Sequence, residues 1–362
     1  MEDGYIRGMT RLTRLLPQAL VVSQVGTMTE FRPVRGNASA RPSSPSHQRV
    51  GVIHNPRSHS NRNGRCGLER LAALHPQLAF DAPASLADLE RTLRRFASEK
   101  IDLLVISGGD GTLRDVLTAL PAAYPDGPPD LAILAAGNTN LAARALGISG
   151  TGPQGLQRLL TAVRHDRLRR SDCRLLEVSW IGQPERMPVR GFFFGAAAFA
   201  EGKRIADIEI HRRHLHKGLA VAVTAATMVV RILFGDSDGL KRGTPMRISL
   251  DDAPPRDADR FLLMATTLDR LMLGLWPFWG HGNGGIHWLD IEARPKRLVA
   301  TLLATAIRRP GRWMARKGYR SDHVFRVRIL LRQSFVLDGE FFDPGPDGIL
   351  LSTPGQVTVV WP

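Results

Sequence analysis

Cysteine is scarce: the 362 residues hold two, Cys66 and Cys173, far apart in the chain. That excludes a disulfide framework and points to a reducing compartment. With so few thiols and no Cys/His cluster, a structural zinc site is excluded as well. Long apolar runs are also missing. The best candidate, the uncharged run 218–230, is shorter than the roughly 18–20 residues that span a bilayer. Aromatic residues make up 6% of the chain and show no interleaving with basic residues of the kind that stacks nucleic-acid bases. One long stretch, Arg294 to Arg320, contains no acid at all.

What is present is typical of a globular chain: 43% hydrophobic and 23% charged residues, enough for two domains with cores of their own. The net charge is +15 and the isoelectric point is near 11.0, so an anionic partner is expected. Arg294, Lys296, Arg297, Arg316 and Lys317 flank the apolar Leu298, Val299, Leu302, Leu303 and Ile307, with Trp313 nearby. That combination suits peripheral contact with an anionic membrane surface, and it equally suits a core-facing helix with a solvated basic face. Nucleic acid is the weaker candidate partner. Residues 1–48 read as a disordered basic tail or an overextended start. Ser, Pro, Ala and Arg dominate 37–47, and no signal-peptide cleavage pattern follows the broken apolar run 12–25.

The strongest local signal is Ser107-Gly108-Gly109-Asp110-Gly111-Thr112, directly after the apolar run Ile101 to Ile106 and before a helically spaced set, Leu113, Val116, Leu117 and Leu120. A buried strand entering a glycine-rich turn and then a helix is where backbone N–H groups close around a phosphate. The segment is neither a P-loop nor a dinucleotide fingerprint. A tight turn with Thr112 as a plain cap is the simpler alternative. Two more apolar strands end in polar loops. Val50 to His54 runs into Asn55-Pro56, and Leu131 to Ala135 runs into Gly137-Asn138-Thr139-Asn140. Three such loops on the carboxyl edge of one sheet make a nucleotide site the leading reading.

These elements, with Arg144-Ala145-Leu146-Gly147 and a late Asp338-Gly339-Glu340, resemble in order the diacylglycerol kinase catalytic family. That family includes bacterial lipid kinases and sphingosine kinases, with NAD kinases and phosphofructokinases as distant relatives. The resemblance runs over roughly 49–360. It implies an α/β fold: a mostly parallel α/β nucleotide-binding domain over 49–170, and a β-rich, antiparallel sandwich-like acceptor domain over 171–362. Strands are expected near 50–54, 77–80, 101–106 and 131–135, and a helix over Ser85 to Glu99 that opens on Ser85 and Asp88. In the second half, strands are expected at 175–180, 189–194, 246–250, 261–267, 325–331 and 357–361.

The resemblance further implies an ATP-dependent lipid kinase using Mg²⁺, with a diacylglycerol-like or sphingoid acceptor. A cytoplasmic, peripherally membrane-bound protein is expected, and a homodimer stays open. Asp110 and Glu340 are the candidate catalytic acids. Asn55, Gly108, Gly109, Gly111, Thr112, Asn138 and Asn140 are the candidate nucleotide contacts. Two departures keep a second function open, that of a catalytically weakened nucleotide- or lipid-binding sensor. The usual threonine of the third loop is Asn138, and its usual acid is Leu141. The acid that supports Mg²⁺ in bacterial relatives has no clear counterpart either. Asp290 is near, but in a different phrase. Leu271 to Trp279 is dense enough in apolar residues to line an acyl channel, or to be a buried loop.

Overall fold

The computed structural model describes residues 49–62, 67–137, 140–213, 242–271, 276–306 and 311–362. The tail 1–48, Cys66, Asn138, the apolar stretch 218–230, residues 272–275 and Ile307 to Arg309 lie outside the described residues.

Two sheets carry the described chain. The first has strands β1 (Val50–His54), β2 (Ala79–Asp81), β3 (Leu103–Gly108), β4 (Asp130–Ala135) and β5 (Arg169–Arg174). Its order is β2-β1-β3-β4, then the C-terminal strand Gln356–Trp361, then β5. β1 to β4 and the C-terminal strand run parallel, and β5 is antiparallel. Every side chain of β1 and β3 is buried, as expected for strands covered on both faces. The covering helices include α1 (Leu68–Ala73), α2 (Leu86–Ser98), α3 (Asp110–Ala123), α4 (Leu141–Ala145) and α5 (Gly152–Arg164). α2 begins as expected: Ser85 Oγ accepts from the Asp88 N–H and donates to the Asp88 carboxylate.

The second sheet is antiparallel and built from Leu176–Trp180, Val189–Gly191, Phe193–Ala197, Thr244–Leu250, Arg256–Thr266, Ile286–Glu292, Tyr319–Val324, Arg326–Leu330, Phe335–Leu337, Glu340–Phe342 and Ile349–Ser352. Its core is aromatic and aliphatic, with Trp180, Phe194, Trp288 and Phe335 at the centre. The expected fold class holds.

Several expectations are corrected. The strand at 356–361 belongs to the first sheet, not with the second-half strands, because its backbone pairs with β4 and β5. The basic run 169–174 is β5 itself. Ile286–Glu292 and Tyr319–Val324 were not anticipated, since glycines and basic residues around them mask their alternation. They pair with each other, and the first of them also pairs with Arg256–Thr266. Within the acid-free stretch, Arg320 lies on a strand and pairs with Glu292 at 2.8 Å. The helix Leu298–Ala306 turns Leu298 onto a core cluster with Met314 and Tyr319, and leaves Val299 and Leu303 exposed. Phe278 is buried, with Trp276 and Trp279 packed on that same cluster, so the described part of the 271–279 segment is a core loop.

Candidate active site

The glycine motif spans the end of β3 and the first turn of α3. The helix starts at Asp110, earlier than its apolar spacing indicates, and Gly109 is the cap residue with no side-chain cap bond. Thr112 is therefore inside the first turn, not a cap. Asn55, at the end of β1, donates from Nδ2 to Thr112 Oγ1 over 2.7 Å, and its backbone N–H donates to Ser107 O at 2.9 Å. Asn61 braces the same corner: its Nδ2 lies 2.9 Å from Asn55 O and 3.3 Å from Ser107 Oγ. Buried His54 sits 3.2 Å from Ser107 Oγ, and burial lowers its pKa. Sequence reading missed the His54–Ser107–Asn61 platform. Its polar residues at strand ends were legible, but their convergence was not.

The third loop packs directly on the first. A β-carbon on Gly137 would stand 2.6 Å from Gly109 Cα, and one on Gly109 would stand 3.0 Å from Gly137 Cα. Two backbones in contact leave no room for a side chain, and this explains both glycines. At Gly108 the space is filled by Thr112, whereas at Gly111 it opens toward Glu340. Asn140, with φ 49°, is in the left-handed region that Asn tolerates. Its amide clamps Gly137 from both sides, accepting from Gly137 N and donating to Gly137 O at 2.9 Å each. Asn140, a candidate nucleotide contact, also braces this loop.

Asp110 faces the start of α4, where the N–H groups of Asn140, Leu141 and Ala142 hold its carboxylate, and Arg144 is close enough to favour its charge. Burial outweighs those contacts and pushes its pKa up to about 6. The backbone of Leu141 therefore contributes where its side chain cannot.

Asp338-Gly339-Glu340 makes the hairpin between Phe335–Leu337 and Glu340–Phe342. Leu337 pairs with Glu340, and Asp338 and Gly339 both have positive φ, 45° and 86°. This is the two-residue turn that Asp-Gly favours. It also reaches the glycine loop. Glu340 Oε1 lies 3.7 Å from the place of a β-carbon on Gly111, so Glu340, from the second sheet, approaches the first turn of α3. Asp338 turns inward and accepts the N–H groups of Phe192 at 3.0 Å and Phe193 at 2.9 Å. Burial, with the charge of Asp110 second, pushes its pKa up to about 7. Arg114, one turn after Asp110, favours the charged form. The inward turn of Asp338 and the approach of Arg114 had no signal in the sequence.

Residues 49–172 match the model of the diacylglycerol kinase catalytic domain. The match spans less than half of the chain, and the domain it resembles is that of a kinase. A solved diacylglycerol kinase structure from Bacillus anthracis str. Sterne is similar over 88% of this chain and 98% of its own, with TM-score 0.53 and 15% identity. Two more structures from that strain each cover 88% of this chain and 99% of their own. Their TM-scores are 0.58 and 0.55, at 15% and 16% identity. At such identities the likeness is one of fold, and it extends the diacylglycerol kinase architecture to the second sheet. A comparison with curated protein sequences finds no match.

Among the described residues, no group of three or more His, Cys, Asp or Glu is placed to hold a metal ion. Asp290 is not a free acid. It is buried and paired with the fully buried Arg260 at 3.2 Å. Mg²⁺ is commonly held by one or two carboxylates together with substrate phosphates. Asp110, at the phosphate loop, fits that partial donor set.

Proposed function

We propose that this protein is an ATP-dependent lipid kinase that moves the γ-phosphate to the hydroxyl of a diacylglycerol-like or sphingoid lipid at a membrane surface. The observation that carries the reading is the approach of Glu340, from the second sheet, to Gly111 of the phosphate loop. A phosphoryl transfer site needs a phosphate cradle and a base for the attacking hydroxyl, brought together from opposite sides.

In this reading the N–H groups of Gly109, Gly111 and Thr112 face the phosphates, with the N-terminal end of α3 adding its dipole. Asn55 fixes Thr112, and the Gly109–Gly137 contact fixes the loop spacing. Glu340 takes the proton from the acceptor hydroxyl as its oxygen bonds to the γ-phosphorus and ADP leaves. Asp110 would hold Mg²⁺, which neutralises phosphate charge when bound. The exposed Val299 and Leu303, one turn apart beside Arg294, Lys296 and Arg297, form the face proposed to meet anionic lipid.

The test is transfer of labelled γ-phosphate from ATP to a lipid extract, with Asp110→Asn as control. A labelled lipid that disappears with the variant is expected. Nucleotide binding without a labelled lipid would favour the sensor function instead.

A further inference from the structure

Among the described residues, Arg114 is a donor near the Glu340–Phe342 strand that the reaction just described does not use. Arg114 commits Nε and one terminal nitrogen to Asp115 Oδ1, at 3.1 and 2.7 Å. Its guanidinium lies 5.4 Å from the ring centre of Phe342, two residues after Glu340. The remaining terminal nitrogen, Nη1, is buried and has no hydrogen-bond partner among the described residues. A buried guanidinium N–H without an acceptor is costly, and such a group in a native seam calls for an occupant.

The neighbouring acids are differently placed. Asp110 is turned onto the N–H groups of residues 140–142, Asp338 onto those of Phe192 and Phe193, and Asp115 onto Arg114 itself. Their carboxylates have protein donors. The spare recognition group, packed at Phe342 on the strand that carries Glu340, is a donor, and a donor selects an oxygen.

We infer that Arg114 Nη1 recognises an acyl carbonyl oxygen carried next to the reacting hydroxyl of the acceptor, making Arg114 a specificity-determining residue. This inference rests on the lipid-kinase reading. A glycerolipid ester has such a carbonyl on the carbon beside the one bearing the hydroxyl. Its ether analogue lacks it. A free sphingoid base has an ammonium group there, which Arg114 repels. A site built to bond one polar group strongly rejects the analogue without it.

The experiment compares kcat/KM of the full chain for 1,2-dioctanoylglycerol, its ether analogue 1,2-dioctylglycerol, and sphingosine, all in mixed micelles. The ester is expected to exceed the ether by about 10-fold or more, the loss of one bond to a charged donor. Sphingosine should be the poorest of the three. In Arg114→Leu the ester should fall to the level of the ether, with ATP affinity unchanged. Arg114→Lys, which keeps the charge and Phe342 contact, should retain part of the preference if the leucine variant fails to fold. Equal rates for ester and ether in the native chain, or a ratio unmoved by either folded variant, would overturn the role of Arg114. No phosphate on any of the three lipids, with ATP still bound, would instead overturn the lipid-kinase reading and this inference with it.

Discussion

Asn55 Nδ2 donates to Thr112 Oγ1 over 2.7 Å, tying the loop after β1 to the first helical turn of the glycine motif. This bond holds the glycine motif, the proposed phosphate cradle, in register with the neighbouring loop. Asn55→Ala removes one ordinary hydrogen bond, worth about 0.5–1.5 kcal/mol. ATP affinity measured by calorimetry should fall by roughly 2–10-fold, the corresponding factor, while the fold remains. Unchanged affinity would separate Asn55 from the nucleotide site.

Gly137→Ala places a β-carbon 2.6 Å from Gly109 Cα, and neither backbone can yield without moving its loop. Both stability and ATP affinity should drop together. A thermal melt and a nucleotide titration on the same sample check this. A stable variant with native affinity would mean that the two loops can separate without consequence.

Glu340 belongs to the second sheet, so its removal should spare nucleotide binding. As the base for the acceptor hydroxyl, Glu340→Gln should lower lipid phosphorylation by roughly 10²–10⁴-fold. Gln preserves size and cannot take the proton. A variant that loses ATP affinity instead would place Glu340 on the nucleotide side.

Asp338 and Asp110 make stability and activity run in opposite directions with pH. Its pKa is about 7 in the fold against 3.8 for the unmodified side chain, chiefly through burial. The folded state therefore binds the proton more tightly, and the stability this contributes is complete below the unfolded value and is lost as pH rises through about 7. The melting temperature should decline over that interval, and Asp338→Asn should flatten the decline. Asp110, pushed up to about 6, must be ionised to hold a cation, so kcat/KM should rise with pH through that value. A melting temperature that climbs across the same range in the native chain, unaltered in the variant, would contradict the buried-acid account.

Binding to anionic vesicles should weaken as salt rises, because exposed charges are screened over about 8 Å at physiological ionic strength. Val299→Asp with Leu303→Asp should abolish flotation with the vesicles and leave turnover of a soluble short-chain lipid intact. Equal flotation with neutral and anionic vesicles would remove the basic face from the interaction.

Much of this was legible along the chain because it depends on short-range rules. Fully apolar runs ending in glycine or asparagine mark β1, β3 and β4, and Ser85 with Asp88 marks the start of α2. The late Asp-Gly pair marks a tight turn. What failed depends on partners distant in sequence. Nothing local in 356–361 distinguishes a strand of the second sheet from one inserted between β4 and β5. Asp290 reads as a free acid until Arg260, on the adjacent strand, is found against it.

By itself, then, the sequence determined the order of the loops and the glycine turn, and it offered Asp110 and Glu340 as candidate acids, since turn chemistry and strand burial are written in neighbouring residues. Tertiary structure decided which groups are available. It turned Asn140 onto Gly137, Asp338 onto Phe192 and Phe193, and Asp110 onto the start of α4. It left Arg114 Nη1 without a hydrogen-bond partner among the described residues. The physical reason is that a polar group's role depends on which donors and acceptors surround it after burial, and here those come from both sheets.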